Sequence, residues 1–339
     1  MSSSTSRLKL RIGIEKFPLK EPFRITGYTM VDTEVLFVEL EQEGLVGRGE
    51  ASGVYYRPGD DVKAGADRLE SLRGEIEAGI GRLGLQSLLP ACAARNALDC
   101  ALWDLDAKRI GRPAWRIAGL EQPKPLITTF TIGAGSAEKV AADARAYRQA
   151  RAIKLKLTGE AVDAERVRAV RRERPDVWLG IDANQGFTRA TLEKILPVLL
   201  ESGVQLIEQP CKVGEESMLD GLDSPIPFAA DESAQTLADV PGLVGRFKVV
   251  NIKLDKSGGL TEALAMAREA ARLGLKVMVG NMLGTSLAMA PAFLVGQLCQ
   301  VVDLDGPIFL SRDRAVPVVY SAGTIQCPAE LWGDPSSKW

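Results

Sequence analysis

Five strand-like runs in this chain end on residues that carry chemistry, at nearly constant spacing. Ala152–Lys156, Leu179–Asp182, Gln205–Glu208, Phe228–Asp231 and Asn251–Lys253 end 26, 26, 23 and 22 positions apart. Each interval has the length of one strand plus one helix, so the repeat predicts an α/β fold built on a parallel barrel. In such barrels the reacting groups sit at the C-terminal ends of the strands. Eight strand candidates fit the repeat, at about 126–132, 152–157, 178–183, 204–209, 227–232, 248–254, 276–281 and 301–305. They are numbered one to eight below.

A barrel needs about 250 residues, and the chain has 339. The first hundred residues do not follow the repeat. Leu8–Lys16 and Glu34–Glu41 alternate as strands, Glu43-Gly44 turns the second into Leu45–Ala51, and helical patterns follow at Val62–Ile80 and Cys92–Lys108. Strands followed by helices predict a small α+β domain over 1–122. The barrel then occupies 123–308, and 309–339 is expected to return to the N-terminal domain.

The chain has no histidine, so lysines, carboxylates, tyrosines or cysteines must supply its acid/base groups and metal ligands. A net charge of -2 with interspersed signs leaves no footprint for nucleic acid. Five scattered cysteines without a CxxC pair argue against zinc. With no apolar stretch in Met1–Arg7, a cytoplasmic location with reduced thiols is expected. Val277–Val302 is uncharged and long enough to cross a bilayer, but Gly280-Asn281, Gly284 and Pro291 break it, so a buried strand and helix are expected and no membrane partner.

Asp182, Glu208 and Asp231 end adjacent strands three to five. Three oxygen ligands without imidazole or thiol suit a hard cation such as Mg²⁺. On strand two, Lys154 and Lys156 share a face, as Lys253 and Asp255 do on strand six. Strands two and six lie four apart in a ring of eight and face each other. Lysines so placed would bracket a carbon acid held at the metal, one removing a proton and the other delivering one to the opposite face. Lys154 beside Lys156, with the cation near, would lower the lysine's proton affinity as a base requires. On strand eight, Asp303 and Asp305 lie opposite the metal and would hold an ammonium group. A dipeptide with a free N-terminus fits these demands. Lys256-Ser-Gly-Gly259 lacks the spacing of a phosphate loop and reads as a tight turn before a helix.

Lys154-Leu-Lys156, Asp182-Ala-Asn184, Glu208-Gln-Pro210, Asp231-Glu-Ser233, Asn251-Ile-Lys253-Leu-Asp255 with Gly258-Gly259, and Asp303-Leu-Asp305 together resemble the muconate lactonising subgroup of the enolase superfamily. Within it the chain is similar to the dipeptide epimerases, including the L-Ala-D/L-Glu type of cell-wall peptide recycling. The helix Ala97–Leu105 also resembles the superfamily's signature helix.

The resemblance implies a modified TIM barrel, of (β/α)8 type, with an α+β capping domain formed by both chain ends. It implies Lys156 and Lys253 as acid/base pair acting through an enediolate, Lys154 and Asp255 in support, and Asp182, Glu208 and Asp231 as Mg²⁺ ligands. Asp303 and Asp305 would grip the α-ammonium group. Cap loops at about Lys20–Val31 and Ser52–Gly59 would read side chains, with Arg24, Tyr28 and Arg57 as candidates. Homo-oligomers are expected from the resemblance alone. N-acylamino acid racemases, o-succinylbenzoate synthases and cycloisomerases use the same lysines, but their substrates offer Asp303 and Asp305 no ammonium group. A non-catalytic metal-binding barrel is the remaining alternative.

Overall fold

A computed structural model describes residues 7–25 and 28–337. The N-terminal sheet is an antiparallel meander of Lys9–Ile25, Tyr28–Gln42 and Leu45–Ala51. Leu36, Val38 and Leu40 alternate onto one face and meet the helix Ala93–Ile110. Glycines set how close that helix comes: a Cβ on Gly47 would lie 2.2 Å from the Ala101 carbonyl oxygen, and one on Gly49 1.9 Å from that of Ala97. The helix is buried nearly all round because it has two partners, and its enclosed polar side chains Arg95, Asn96, Asp99 and Asp104 are hydrogen-bonded. Leu98, Ala101 and Leu105 face the sheet, while Cys100, Trp103 and Ala107 join the barrel core.

The second domain is a parallel eight-stranded sheet in sequence order: Thr129–Ile132, Ala152–Lys156, Trp178–Asp182, Val204–Glu208, Phe228–Ala230, Val249–Ile252, Lys276–Val279 and Val301–Val302. The chain is thus an α/β protein with a near-closed barrel and an α+β cap. In-register pairing sets Lys156 beside Asp182 and Asp182 beside Glu208. Strands one and eight meet through side chains. Thr128 Oγ1 donates to the Val302 carbonyl at 3.4 Å and accepts from Leu304 N at 3.0 Å, and Asp305 accepts from Thr131 N at 2.6 Å.

Several expected elements take a different form. The 26-residue intervals hold helices Asp163–Glu173 and Arg189–Glu201, whereas the 23- and 22-residue intervals have room only for the 3-10 turns Glu216–Leu219 and Leu237–Leu243. Strand six stops at Ile252, and Leu254–Ser257 is a helical turn closed by left-handed Gly258. Strand eight pairs only over Val301–Val302, so Asp303 and Asp305 lie beyond its ladder. The expected loop 20–31 is mostly the far end of the first two strands, with a register shift between Pro18 and Phe23; Thr26 and Gly27 lie outside the described residues.

The C-terminal segment touches both domains. Ser311 N donates to the Pro18 carbonyl at 2.9 Å, and Val319–Ser321 and Thr324–Gln326 form a small sheet with Leu126–Ile127. Gly333 N then donates to Asp104 at 2.8 Å. No helix among the described residues is long and apolar enough to cross a membrane. The uncharged stretch forms strand seven and the buried helix Ser286–Gly296.

Candidate active site

The cap closes over the strand ends and leaves a cavity of about 540 Å³ lined by Lys154, Lys156, Lys253, Asp303 and Asp305 from the barrel and by Tyr28, Tyr55 and Arg57 from the cap. Asp182, Glu208 and Asp231 lie behind the lysines that line it, fully enclosed, each with an oxygen within 4.8 Å of the others. Glu208 Oε1 accepts from Asn251 Nδ2 at 2.7 Å, while its Oε2 is buried without a hydrogen-bond donor. A buried carboxylate oxygen with no hydrogen bond, within a set of three clustered carboxylates, is what a hard cation would satisfy, so the donor set fits a divalent ion.

Each lysine expected to move protons rests on one of these carboxylates. Lys156 Nζ donates to Asp182 Oδ2 at 2.5 Å and Lys253 Nζ to Asp231 Oδ2 at 2.6 Å. Strand order puts them on opposite walls. Gly280, directly after strand seven, makes room for Lys253 and Asn251: a Cβ there would lie 2.7 Å from Asn251 Oδ1 and 2.9 Å from Lys253 Cε. Lys154 Nζ donates to Asp303 and approaches Glu208 Oε2 at 3.5 Å and Asp182 Oδ2 at 3.9 Å. It therefore joins the carboxylate pair on strand eight to the triad.

Four buried ammonium groups (Lys154, Lys156, Lys253, Lys256) face six buried carboxylates (Asp182, Glu208, Asp231, Glu232, Asp303, Asp305). Proton affinities register that excess of negative charge. Burial, with Asp182 near, pushes Glu208 up to about 8; burial beside Asp231 pushes Glu232 up to about 7; burial and Asp303 push Asp305 up to about 6. For Lys154, burial is outweighed by Asp303, Glu208 and Asp182, which hold it above its usual range. Either protons or a cation must offset the excess.

Three expected roles take a different form. Asp255 does not share a strand face with Lys253, because the chain turns helical after it; its Oδ1 accepts from Ser52 N at 2.9 Å and Asn96 Nδ2 at 3.2 Å, tying cap to barrel. Arg57 reaches the cavity wall, but its terminal nitrogens are engaged by Asp60 (2.9 Å), the carbonyls of Ala91 (3.0 Å) and Lys256 (3.2 Å), and Gln235. Arg24 is exposed and lines a neighbouring cavity of about 450 Å³ with Lys20, Lys139 and Tyr147, behind the Phe23–Phe309 ring pair. Tyr28 stands at the mouth with its ring centroid 4.7 Å from that of Tyr55.

Sequence reasoning missed several contributors. Asn251 precedes Lys253 by two on the same strand face, a signal that was available. Thr129 Oγ1 donates to Asp303 and, with Thr131, fixes the strand-eight carboxylates. Gln209 Oε1 accepts from Asp231 N at 2.9 Å and Ser233 N at 3.1 Å, aligning strand five. Lys256 is enclosed beneath Asp231.

The mandelate racemase/muconate lactonizing enzyme N-terminal domain profile matches residues 8–119, and the enolase C-terminal domain-like profile matches 137–330. The chain belongs to the enolase superfamily. Among enolase-superfamily relatives, an L-Ala-D/L-Glu epimerase of Escherichia coli (strain K12) is 38% identical over 92% of this chain and 97% of its own length. An N-acetyl-D-glutamate racemase of Pseudoalteromonas is 41% identical over 74% of this chain and 79% of that protein. A crystal structure from Agrobacterium tumefaciens, described as an enolase family member with homology to dipeptide epimerases and holding sodium and L-Ala-L-Glu, superposes with a TM-score of 0.93 at 39% identity, covering 96% of this chain and 100% of that one. A dipeptide epimerase of Methylococcus capsulatus complexed with Mg and L-Arg-D-Lys gives 0.89 at 31% identity, covering 95% and 97%.

Proposed function

We propose that this protein is an isomerase that epimerises dipeptides at the α-carbon of the C-terminal residue, with Mg²⁺ held by Asp182, Glu208 and Asp231. The observation that carries this reading is the pair of amines, Lys156 and Lys253, on opposite walls above an all-oxygen acidic cluster. When bound, the metal would offset the charge that builds on the substrate carboxylate as the α-proton leaves. One lysine takes that proton from one face of the carbon and the other returns a proton to the opposite face. Lys154 stays charged among its carboxylates. Asp305, held by Thr131 N, and Asp303, held by Thr129, are placed to take the substrate's ammonium group. The glutamate-named relatives support an acidic second residue, with Tyr28 and the cap loops that line the cavity as its readers. Assembly as a homo-oligomer and a cytoplasmic site belong to the same proposal; five free thiols support the latter.

One observation favours a second reading. Asp303 is already engaged by Lys154, and an N-acetyl-D-glutamate racemase is among the relatives, so an N-acyl amino acid would need no free carboxylate pair. The test is mass spectrometry of pooled L,L-dipeptides and N-acetyl amino acids in D₂O with Mg²⁺, using Lys156→Ala as control. One added mass unit on dipeptides, absent in the variant, supports epimerisation. Exchange on N-acetyl-glutamate alone would transfer the assignment to racemase, and exchange on neither would sink both.

A further inference from the structure

Lys256 is a fully enclosed lysine that the proposed chemistry does not use. Its Nζ donates to Asp231 Oδ1 at 2.5 Å, to the Asp231 carbonyl at 2.5 Å and to the Asn251 carbonyl at 3.0 Å. The geometry argues for the charged form: three acceptors use all three donors of an ammonium, whereas a neutral amine would turn a lone pair on one of them. The turn that carries Lys256 is fixed from the cap. Arg57 donates to the Lys256 carbonyl at 3.2 Å, and Arg95 donates to the carbonyls of Ser257 (2.5 Å) and Gly258 (3.1 Å).

Lys253 stands in contrast on the same carboxylate. It takes the other oxygen, Oδ2, through a hydrogen bond of 2.6 Å, and it lines the cavity. Across the barrel Asp182 is braced differently, its Oδ1 accepting from the neutral main-chain N–H of Asn184 at 2.8 Å. The two walls are therefore unlike: on Asp182 a peptide N–H takes Oδ1 and the second ammonium, Lys154, stands off Oδ2 at 3.9 Å, whereas on Asp231 a locked cation bonds Oδ1 directly.

We propose that Lys256 is a positioning residue, the standing counter-ion of Asp231 that leaves Lys253 free to swing between Asp231 and the substrate carbon. Without it, Asp231 Oδ1 loses its ammonium donor, the Asp231 carbonyl keeps only the Ala234 N–H, the Asn251 carbonyl loses one hydrogen bond, and Lys253 becomes the remaining ammonium bonded to that carboxylate. Lys253 would then be drawn down and held. The wall of Lys156 would be untouched, so the loss would fall on one substrate stereoisomer. This effect rests on the two-lysine reading above.

The test compares α-proton exchange in D₂O from the two epimers of a dipeptide turned over by the wild type, for Lys256→Met and Lys256→Gln. The expected result is a change of at least tenfold in the ratio of the two rates, against the epimer that Lys253→Ala also disables. A merely structural role would slow both epimers alike, and an unchanged ratio would overturn the proposal. Trace acetylation, read by peptide mass spectrometry, adds a test that needs no turnover: Lys253 should label at least tenfold more slowly in Lys256→Met than in the wild type. Unchanged Lys253 labelling would overturn the proposal even if exchange succeeds, whereas slowed labelling without any exchange would count against the epimerase reading alone.

Discussion

Asp99, on the buried helix Ala93–Ile110, offers a quantitative test of how cap and barrel are joined. Its Oδ2 accepts from Thr261 N at 2.9 Å, at the start of helix Leu260–Arg272, and its Oδ1 accepts from Thr261 Oγ1 at 2.6 Å and Gln86 Nε2 at 3.2 Å. Burial nevertheless pushes its carboxyl up from 3.8 to about 6. The folded state thus holds a proton that the unfolded chain has released. Stability from this group is complete below the unfolded value and is lost as pH rises through the folded one. Two units correspond to about 3 kcal/mol.

Asp99→Asn removes the titration and has a route to keep the bonds. The Thr261 hydroxyl can rotate to accept, and Gln86, whose Oε1 is buried without a partner, can flip its amide to accept the new N–H, giving up its 3.2 Å bond to the Arg82 carbonyl equally at every pH. Urea unfolding of both proteins at pH 4, 5, 6 and 7 measures the gap. The difference in unfolding free energy should move in favour of Asp99→Asn by about 2.4 kcal/mol between pH 4 and 7, the rest of the span lying below pH 4. A gap constant within about 0.5 kcal/mol would refute the assignment of a raised carboxyl to this interface.

Other consequences can be measured directly. Lys154→Met leaves Asp303 and Glu208 buried without their shared cation and should cost about 3–5 kcal/mol in urea unfolding without metal, a loss that added Mg²⁺ should reduce. Mg²⁺ at a hundredfold its Kd should stabilise the wild type by about 2.7 kcal/mol, and Glu208→Gln should abolish that thermal shift. Gly258→Ala puts a Cβ 2.4 Å from Arg95 Nε at a left-handed φ of 72°; it should destabilise by more than the roughly 1–2 kcal/mol of the backbone conformation alone, read by thermal melt. Gly280→Ala should displace both Lys253 and Asn251, the latter the donor to Glu208, lowering exchange at least tenfold and weakening calorimetric Mg²⁺ affinity as well.

The repeat of strands ending in charged residues was legible because a parallel barrel forces function to one end of each strand, and side-chain alternation then sets which residues point inward. Lys156, Asp182 and Glu208 could be placed side by side from their spacing alone, and pairing in register puts them there. The same reasoning failed at Asp255, since strand periodicity holds only while the strand lasts, and left-handed Gly258 closes a helical turn immediately after it.

The linear chain determined the barrel repeat, the acidic cluster and the opposed lysines, all consequences of local pattern and ring order. Tertiary structure decided which charges are spent on one another. Arg57 bonds across the domain interface to Gln235, Lys154 reaches Asp303 from 149 positions away, and Lys256 disappears beneath Asp231. Such pairings depend on which side chains close packing brings within hydrogen-bond reach, and burial makes each one costly to leave unmade.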